Sequence, residues 1–559
     1  MRRLVLLCLA ALWAMPALGQ TVPDDAAPPA APLDAPAGAQ DGAPASQPVR
    51  RYVAPYIELG QAVTADLTHG DDVLTYTEVG AGIDAGIQTR NTQAQISYRY
   101  ERDISWAKHG GDNDLHQGLA RASVGVAPGV TIDGGALATR ARADIRGAAP
   151  GTAIGVQDNL TQVYAVYAGP SLQKRVGVVD VAASYRYGYT KVGSPGYVDV
   201  GAGQPTLDTF DSGHSNVVQG SLGVKPGDVL PIGATVSGGW DREDASQLDQ
   251  RYDDKFARLD LVAPVSRTVA LEGGVGYEKI TISQRDVEVN ADGTPVVDSH
   301  GRLVTDKSSP RRLAYRTDGL TWNTGVLWRP SPRTQLEAHV GRRYGSISYG
   351  GSLAWRATPS LGAEVVAYDE VDTFARQLRD GIDGLPTNFL ASNNQFGLGY
   401  AGCTFGASGA AAGGCLNDVF QSLSSSAYRA RGVDAVLVAN RGPLQTGIGF
   451  GYARRHFYST ATSADFDIGG IDDQSYYAQY FISRALDTRS SVQGDIYANW
   501  YDSGVPGSAT VFSTGATGSY NRSFGRIDAV ATLGVFAYDS KNIDNDVSAQ
   551  ALLSMRYTF

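Results

Sequence analysis

What most constrains the fold is an apolar/polar alternation of period two, recurring with little interruption from Tyr52 to the end of the chain. Val79, Ala81, Ile83, Ala85 and Ile87 interleave with Glu78, Gly80, Gly82, Asp84 and Gly86. Val179–Tyr189, Val433–Ala439, Val492–Trp500 and Asp546–Phe559 repeat the pattern. Period two describes a strand with one apolar and one wet face. Runs of about ten such residues are long enough for a tilted strand to cross a bilayer. A soluble sandwich or propeller would bury a face rich in Leu, Ile, Val and Phe, whereas Ala, Gly, Val and Tyr recur here.

The connections alternate in length as well. Short turns carrying Pro, Gly, Ser and Asn follow Val126, Gly169, Ala263, Trp328, Ala357, Ala439 and Tyr520. Longer polar stretches lie at 142–158, 191–213, 284–311, 373–426 and 460–472. Counting strands by this rule predicts an all-β, transmembrane antiparallel β-barrel of about 22 strands, within roughly 20 to 24. Its first strand falls near 52–65 and its last at 546–559. The tight connection at 344–347 decides whether one hairpin is counted or lost. An even count puts both ends on the periplasmic side, with the long loops outside.

The first 19 residues read as a secretory signal: Arg2 and Arg3, an apolar core from Leu4 to Met15, then small residues at Ala17 and Gly19. Residues 20–50, rich in Ala, Pro, Asp and Gly, are expected to form a disordered periplasmic tail, leaving 51–559 as a single barrel domain. With 559 residues, net charge −10 and 3 Cys, the chain is too acidic for nucleic acid to be its main partner.

The chain ends DVSAQALLSMRYTF, with Tyr557 and Phe559 on the apolar set. This resembles the C-terminal signal by which the insertion machinery of Gram-negative bacteria recognises outer-membrane β-barrels. Ser554 and Leu552 stand where that signal favours a glycine and a polar residue. The hairpin Val326–Gly345, VLWRPSPRTQLEAHVGRRYG, resembles the turn typical of the putative β-barrel porins, some encoded with exopolysaccharide and protein-sorting systems. Ala263–Leu271 and Ser483–Val492 carry weaker versions. The resemblance covers the barrel from about residue 52. It implies a cell outer-membrane, multi-pass barrel whose partners are outer-membrane lipid, the barrel-insertion machinery and a polar solute or polysaccharide. It implies no catalytic residue.

Function in such a chain would sit on the inward face. The expected lumen-lining charges are Arg99, Arg121, Asp180, Arg186, Arg258, Asp260, Glu272, Glu337, Asp434, Asp495 and Arg556. Most are expected to pair across neighbouring strands, and a minority to form a selectivity ring. Tyr164 and Tyr477 are candidates for an inward aromatic slide for sugars, against the alternative that the aromatics form interfacial girdles. The seven His show no metal spacing, and there is no nucleophile elbow. His109 or His116 with Asp112 and Asp114 read as rim residues, so neither enzyme chemistry, metal nor cofactor is expected. The expected function is a porin-like channel for polar solutes, with exopolysaccharide export the role that the resemblance implies. The rivals are a structural barrel with a plugged lumen and a barrel hydrolase acting on lipid or glycan. Cys403 and Cys415, in the longest loop, should pair in an oxidising compartment. The pinned loop would then sit on top of the barrel or fold into it as a constriction.

Overall fold

The computed structural model describes residues 50–68, 73–106, 112–143, 160–193, 209–300, 302–390, 396, 400–409, 411–421, 423–460, 469–506, 508, 510–540 and 543–559. The signal and the tail therefore lie outside the described residues, Arg50 apart, as do His109 and most of loops 142–158, 191–213 and 460–472.

One antiparallel sheet of 22 strands closes on itself. Its first strand, Arg50–Asp66, pairs with its last, Ile543–Thr558, in a register running from Tyr56↔Thr558 to Asp66↔Ser548. Closure removes the sheet edge that an open strand would leave exposed. The tight connection that settles the count is a two-residue turn. Tyr344 (φ 57°) and Gly345 (φ 73°) both take the left-handed conformation between Arg343 and Ser346. That geometry matches the twist of a hairpin.

The alternation sorts side chains as a membrane barrel requires. On the last strand Leu553 and Met555 are 60% and 59% exposed, whereas Leu552 and Ser554 are 3% and 1% exposed. Leu59, Val79, Val236, Leu271, Val275, Leu320 and Leu533 also face outward. An apolar surface wrapping a whole barrel belongs in hydrocarbon, with aromatic residues at its borders. The protein is an outer-membrane β-barrel, and no helix among the described residues is long and apolar enough to cross a membrane.

The inward set follows the same parity. Arg99, Arg121, Asp180, Arg186, Arg258, Asp260, Glu272, Glu337, Asp434, Asp495 and Arg556 all share a face with buried neighbours, opposite the exposed apolar positions. Tyr164 does not. It is 39% exposed beside Val163 at 0% and Ala165 at 6%, so it faces outward with Val166. Its strand, Leu160–Val176, is apolar on both faces around this point, and alternation cannot then say which face is which. Tyr477 does point inward, where its hydroxyl donates to Gln479 (2.5 Å).

Phe559 is exposed, packs its ring edge-on against Tyr557 (5.2 Å) and donates its N–H to Pro55 O (3.1 Å). Little stability depends on it. Deleting Phe559 is expected to leave a refolded barrel's boiling-dependent gel shift intact while sharply lowering the amount inserted in cells. Normal cellular insertion would show that the terminal aromatics are not a recognition signal.

Candidate functional site

Loop 373–426 folds into the barrel rather than over it. It starts as a helix, α1 (Phe374–Gly384), capped by the Thr373 hydroxyl, which accepts from the Arg376 N–H (3.5 Å). Phe374, Leu378 and Ile382, spaced by four, form one apolar face. They are fully buried among Leu137, Tyr167 and Val192 of the barrel wall and Phe210, just before the strand Ser212–Val224. Gly135 makes this possible, because a Cβ there would lie 2.8 Å from Ile382 Cγ2. The inward Leu119, Leu137 and Val163 would face water in an open pore. Here they bury the plug, each contributing about 1.5–3 kcal/mol.

The opposite face of α1 is charged and equally buried. Arg376 Nε lies 2.8 Å from Asp241 and Nη1 2.8 Å from Asp372, with the guanidinium 3.9 Å over the Tyr252 ring. Arg379 reaches Asp380 (2.7 Å) and Asp241 (3.4 Å). Burial opposes its charge, but these two carboxylates hold the guanidinium well above its ordinary pKa. Asp383 then meets Arg186 (2.8 Å), Arg121 (3.5 Å) and the Tyr167 hydroxyl (2.6 Å). Arg121 also donates to the carbonyls of Leu385 (3.0 Å) and Asp383 (2.7 Å). Arg121 and Arg186, both expected to line the lumen, thus hold the plug.

The loop then descends. Thr387 donates to Gln93 (3.0 Å), and the Phe389 backbone exchanges two hydrogen bonds with the Gln95 amide (2.9 and 3.1 Å). Phe396 is fully buried among Ala62, Tyr76, Phe536 and Leu552, on the wall where the barrel closes. A hairpin follows, Cys403–Ser408 with Ala411–Cys415, joined by a disulfide between Cys403 and Cys415. It lies against the inner face of the strands Leu361–Asp372, Ala427–Arg441 and Leu444–Tyr458. Gly447 and Gly449 leave the space it fills, since a Cβ at either would collide with Phe405 or the disulfide. At its tip the Gly409 N–H donates to Pro359 O (2.9 Å), in the short turn at the far end of the barrel. Asp418, on the way back, accepts from Tyr368 (2.8 Å) and Gln377 (2.9 Å). Burial lifts its carboxyl above the ordinary range despite those bonds.

The remaining candidates fall into separate groups. Arg258, Asp260, Glu272 and Glu337 share a cavity of about 120 Å³ with His339 and Glu370. Arg258 binds Asp260 (2.7 Å) and Asn323. Asp434 lines a space of about 80 Å³ beside Glu364, Asp380 and Asp418. Asp180 and Arg186 line a vestibule of about 610 Å³ that Asp383 roofs. Asp495 accepts from Gln479 (2.6 Å), whose carbonyl oxygen receives the Cys403 N–H (2.9 Å). Arg556 lies 3.4 Å from Glu58, 3.7 Å from Asp84 and 3.9 Å over Tyr56. Arg99 joins Glu58 (3.6 Å), Glu78 (3.7 Å) and Glu101. Glu78, Glu101 and Asp103 bring carboxylate oxygens within 4.8 Å of one another, and the Arg99 guanidinium supplies positive charge there.

At the rim, Asp112 and Asp114 bind Arg102 (3.0 and 3.3 Å), while His116 meets the Tyr98 hydroxyl (2.7 Å) on the outward face. This binds the two carboxylates into an ion-paired rim. The charges that matter most for the plug, Asp241, Asp372, Arg376 and Arg379, were not among the sequence candidates. The capping Thr373 with Phe374, Leu378 and Ile382 is the signal available for the helix that carries the two arginines.

No family model matches the chain, and no curated protein matches it. Solved structures similar to it include the ferric-catecholate import receptor Fiu of E. coli K12 (9% identity, 91% of this chain and 82% of that one, TM-score 0.42). The siderophore receptor PiuA of Acinetobacter baumannii is another (9%, 90% and 82%, TM-score 0.42). The FrpB iron transporter of Neisseria meningitidis is a third (9%, 90% and 81%, TM-score 0.40).

Proposed function

We propose that the chain is an outer-membrane channel for polar solutes, held shut by its own loop 373–426. The observation that carries this is the reach of the loop. It leaves one rim at Thr373 and touches the turn at the opposite end through Gly409 and Pro359. Charges of both signs line the space left beside it, which suits hydrated solutes. Surface polysaccharide is the cargo that the sequence resemblance implies, and its passage requires the plug to move. A second reading, a permanently filled structural barrel, draws support from the fully buried ion pairs that Arg376 makes with Asp241 and Asp372.

The test is conductance of the refolded mature protein in a planar bilayer. The expected trace is a silent baseline with infrequent discrete steps, which added oligosaccharides block. Unbroken silence from a folded barrel would support the structural reading. A steady, large open pore would sink the plug.

A further inference from the structure

The outer wall of the barrel carries a cationic strip where the strands leave the membrane. Four neighbouring strands are in direct register: Gly233–Ala245, Arg251–Pro264, Val269–Gln284 and Arg312–Ser331. Their outward residues therefore form rows. The rows Val269/Trp328, Leu271/Val326, Leu261/Gly273/Thr324, Val236/Leu259/Val275/Trp322 and Gly238/Ala257/Tyr277/Leu320 carry no charge. The next is Trp240/Lys255/Lys279/Asp318, and above it stands Arg242/Asp253/Thr281/Arg316. From Val269 to Lys279 a strand tilted by about 40° climbs about 25 Å, the height of the apolar band of such barrels. The charged rows therefore begin at the headgroups of the outer leaflet.

The row pairs like with like. Lys255 stands directly opposite Lys279, an arrangement that costs stability unless an anion lies between the two. Their side chains are 61% and 49% exposed, and that of Arg316 is 53% exposed. The anions present do not balance them. Asp253 takes Lys255 (2.7 Å) and the Trp240 indole N–H (3.1 Å). Asp318 is shared by Arg316 (2.7 Å), Lys279 (3.8 Å) and the Tyr277 hydroxyl. Arg242 is taken by Asp244 of the row above (2.7 Å), which leaves three cations, Lys255, Lys279 and Arg316, against two carboxylates, above a bed of Tyr277, Leu320 and Trp322 suited to a sugar and acyl chains.

We propose that this strip binds the phosphate of a phosphorylated glycolipid of the outer leaflet, with Lys255 and Lys279 as its principal contacts. Phosphate between the two ammonium groups relieves their repulsion, and the acyl chains continue onto the apolar rows below. The strip lies on the outside of the wall, so the proposal stands or falls independently of the plug.

Native mass spectrometry of the detergent-solubilised full barrel tests it, in chelator, with a diphosphorylated, acylated glucosamine disaccharide as probe. The wild type is expected to retain this lipid and to release the dephosphorylated form. Lys255→Gln/Lys279→Gln should weaken retention about thirty-fold, at about 1 kcal/mol per cation. Lys174→Gln/Lys225→Gln, an equal charge change toward the periplasmic end, should leave retention unchanged. The boiling-dependent gel shift checks folding, and the single variant Lys279→Gln serves if the double one fails to fold. Equal retention of the two lipids by the wild type would overturn the proposal. So would full retention by a folded Lys255→Gln/Lys279→Gln barrel.

Discussion

Replacing residues 374–426 with a short Gly/Ser turn is expected to convert a closed barrel into a stable, wide pore. Asp372 pairs directly with Tyr428, so about four residues suffice to close the hairpin. The wall needs nothing from the plug to stay closed, because its ladder runs unbroken through the first and last strands. Emptying a ring of 22 strands should raise single-channel conductance at least roughly ten-fold, as the lumen widens with strand number. The wall will lose stability where Leu119, Leu137 and Val163 now face water. Unchanged conductance from a folded deletion barrel would mean that something other than this loop closes the pore.

The second large effect is expected from Arg376→Met, which keeps the bulk and removes the charge. Asp372 loses its guanidinium, and Asp241 keeps only the longer contact from Arg379 (3.4 Å). Removing one partner of a buried ion pair costs about 3–5 kcal/mol. Here that cost falls on the seated plug, and relief comes from undocking into water. The undocked population should therefore rise by about a hundred-fold or more, seen as frequent openings in the bilayer trace and faster proteolysis within 374–426. Arg376 is enclosed by Asp241, Asp372, Tyr252 and the Val371 carbonyl (3.2 Å), so lysine should restore only part of the closure. If Arg376→Met gates like the wild type, the latch lies elsewhere.

The barrel was legible in the chain because its strands obey one local rule. Val79–Ile87 and Val179–Tyr189 need only alternate, and the ring follows from repetition. The two-residue turn at Tyr344 and Gly345 fits the expected count. Legibility failed where the rule met the plug. Val163 to Tyr167 is apolar on both faces because one face meets lipid and the other meets Phe374 and Ile382. Tyr164, a candidate for the inward slide, consequently stands on the outward face. The same inward apolar residues, with Leu119 and Leu137, were the available sign that the lumen is filled. The plug's grip was hidden for a different reason. Gln95 and Phe389 are 294 positions apart, and no local pattern brings such residues together. Arg121 and Arg186 alternate with outward apolar residues, but whether such charges meet solvent or Asp383 depends on a loop whose path alternation does not describe.

The plug is held by the chain at both ends, through Asp372 on one strand and Ala427 on the next. It can leave its seat but not the neighbourhood of the pore. Once undocked, it stays at an effective concentration on the order of millimolar relative to its seat. Resealing is then intramolecular, independent of protein abundance and of any external closing factor. Each opening would have its own lifetime, set by how quickly α1 finds Asp241 again. On the proposed channel reading, a cell carrying this barrel would tolerate the pore because each opening ends by recapture.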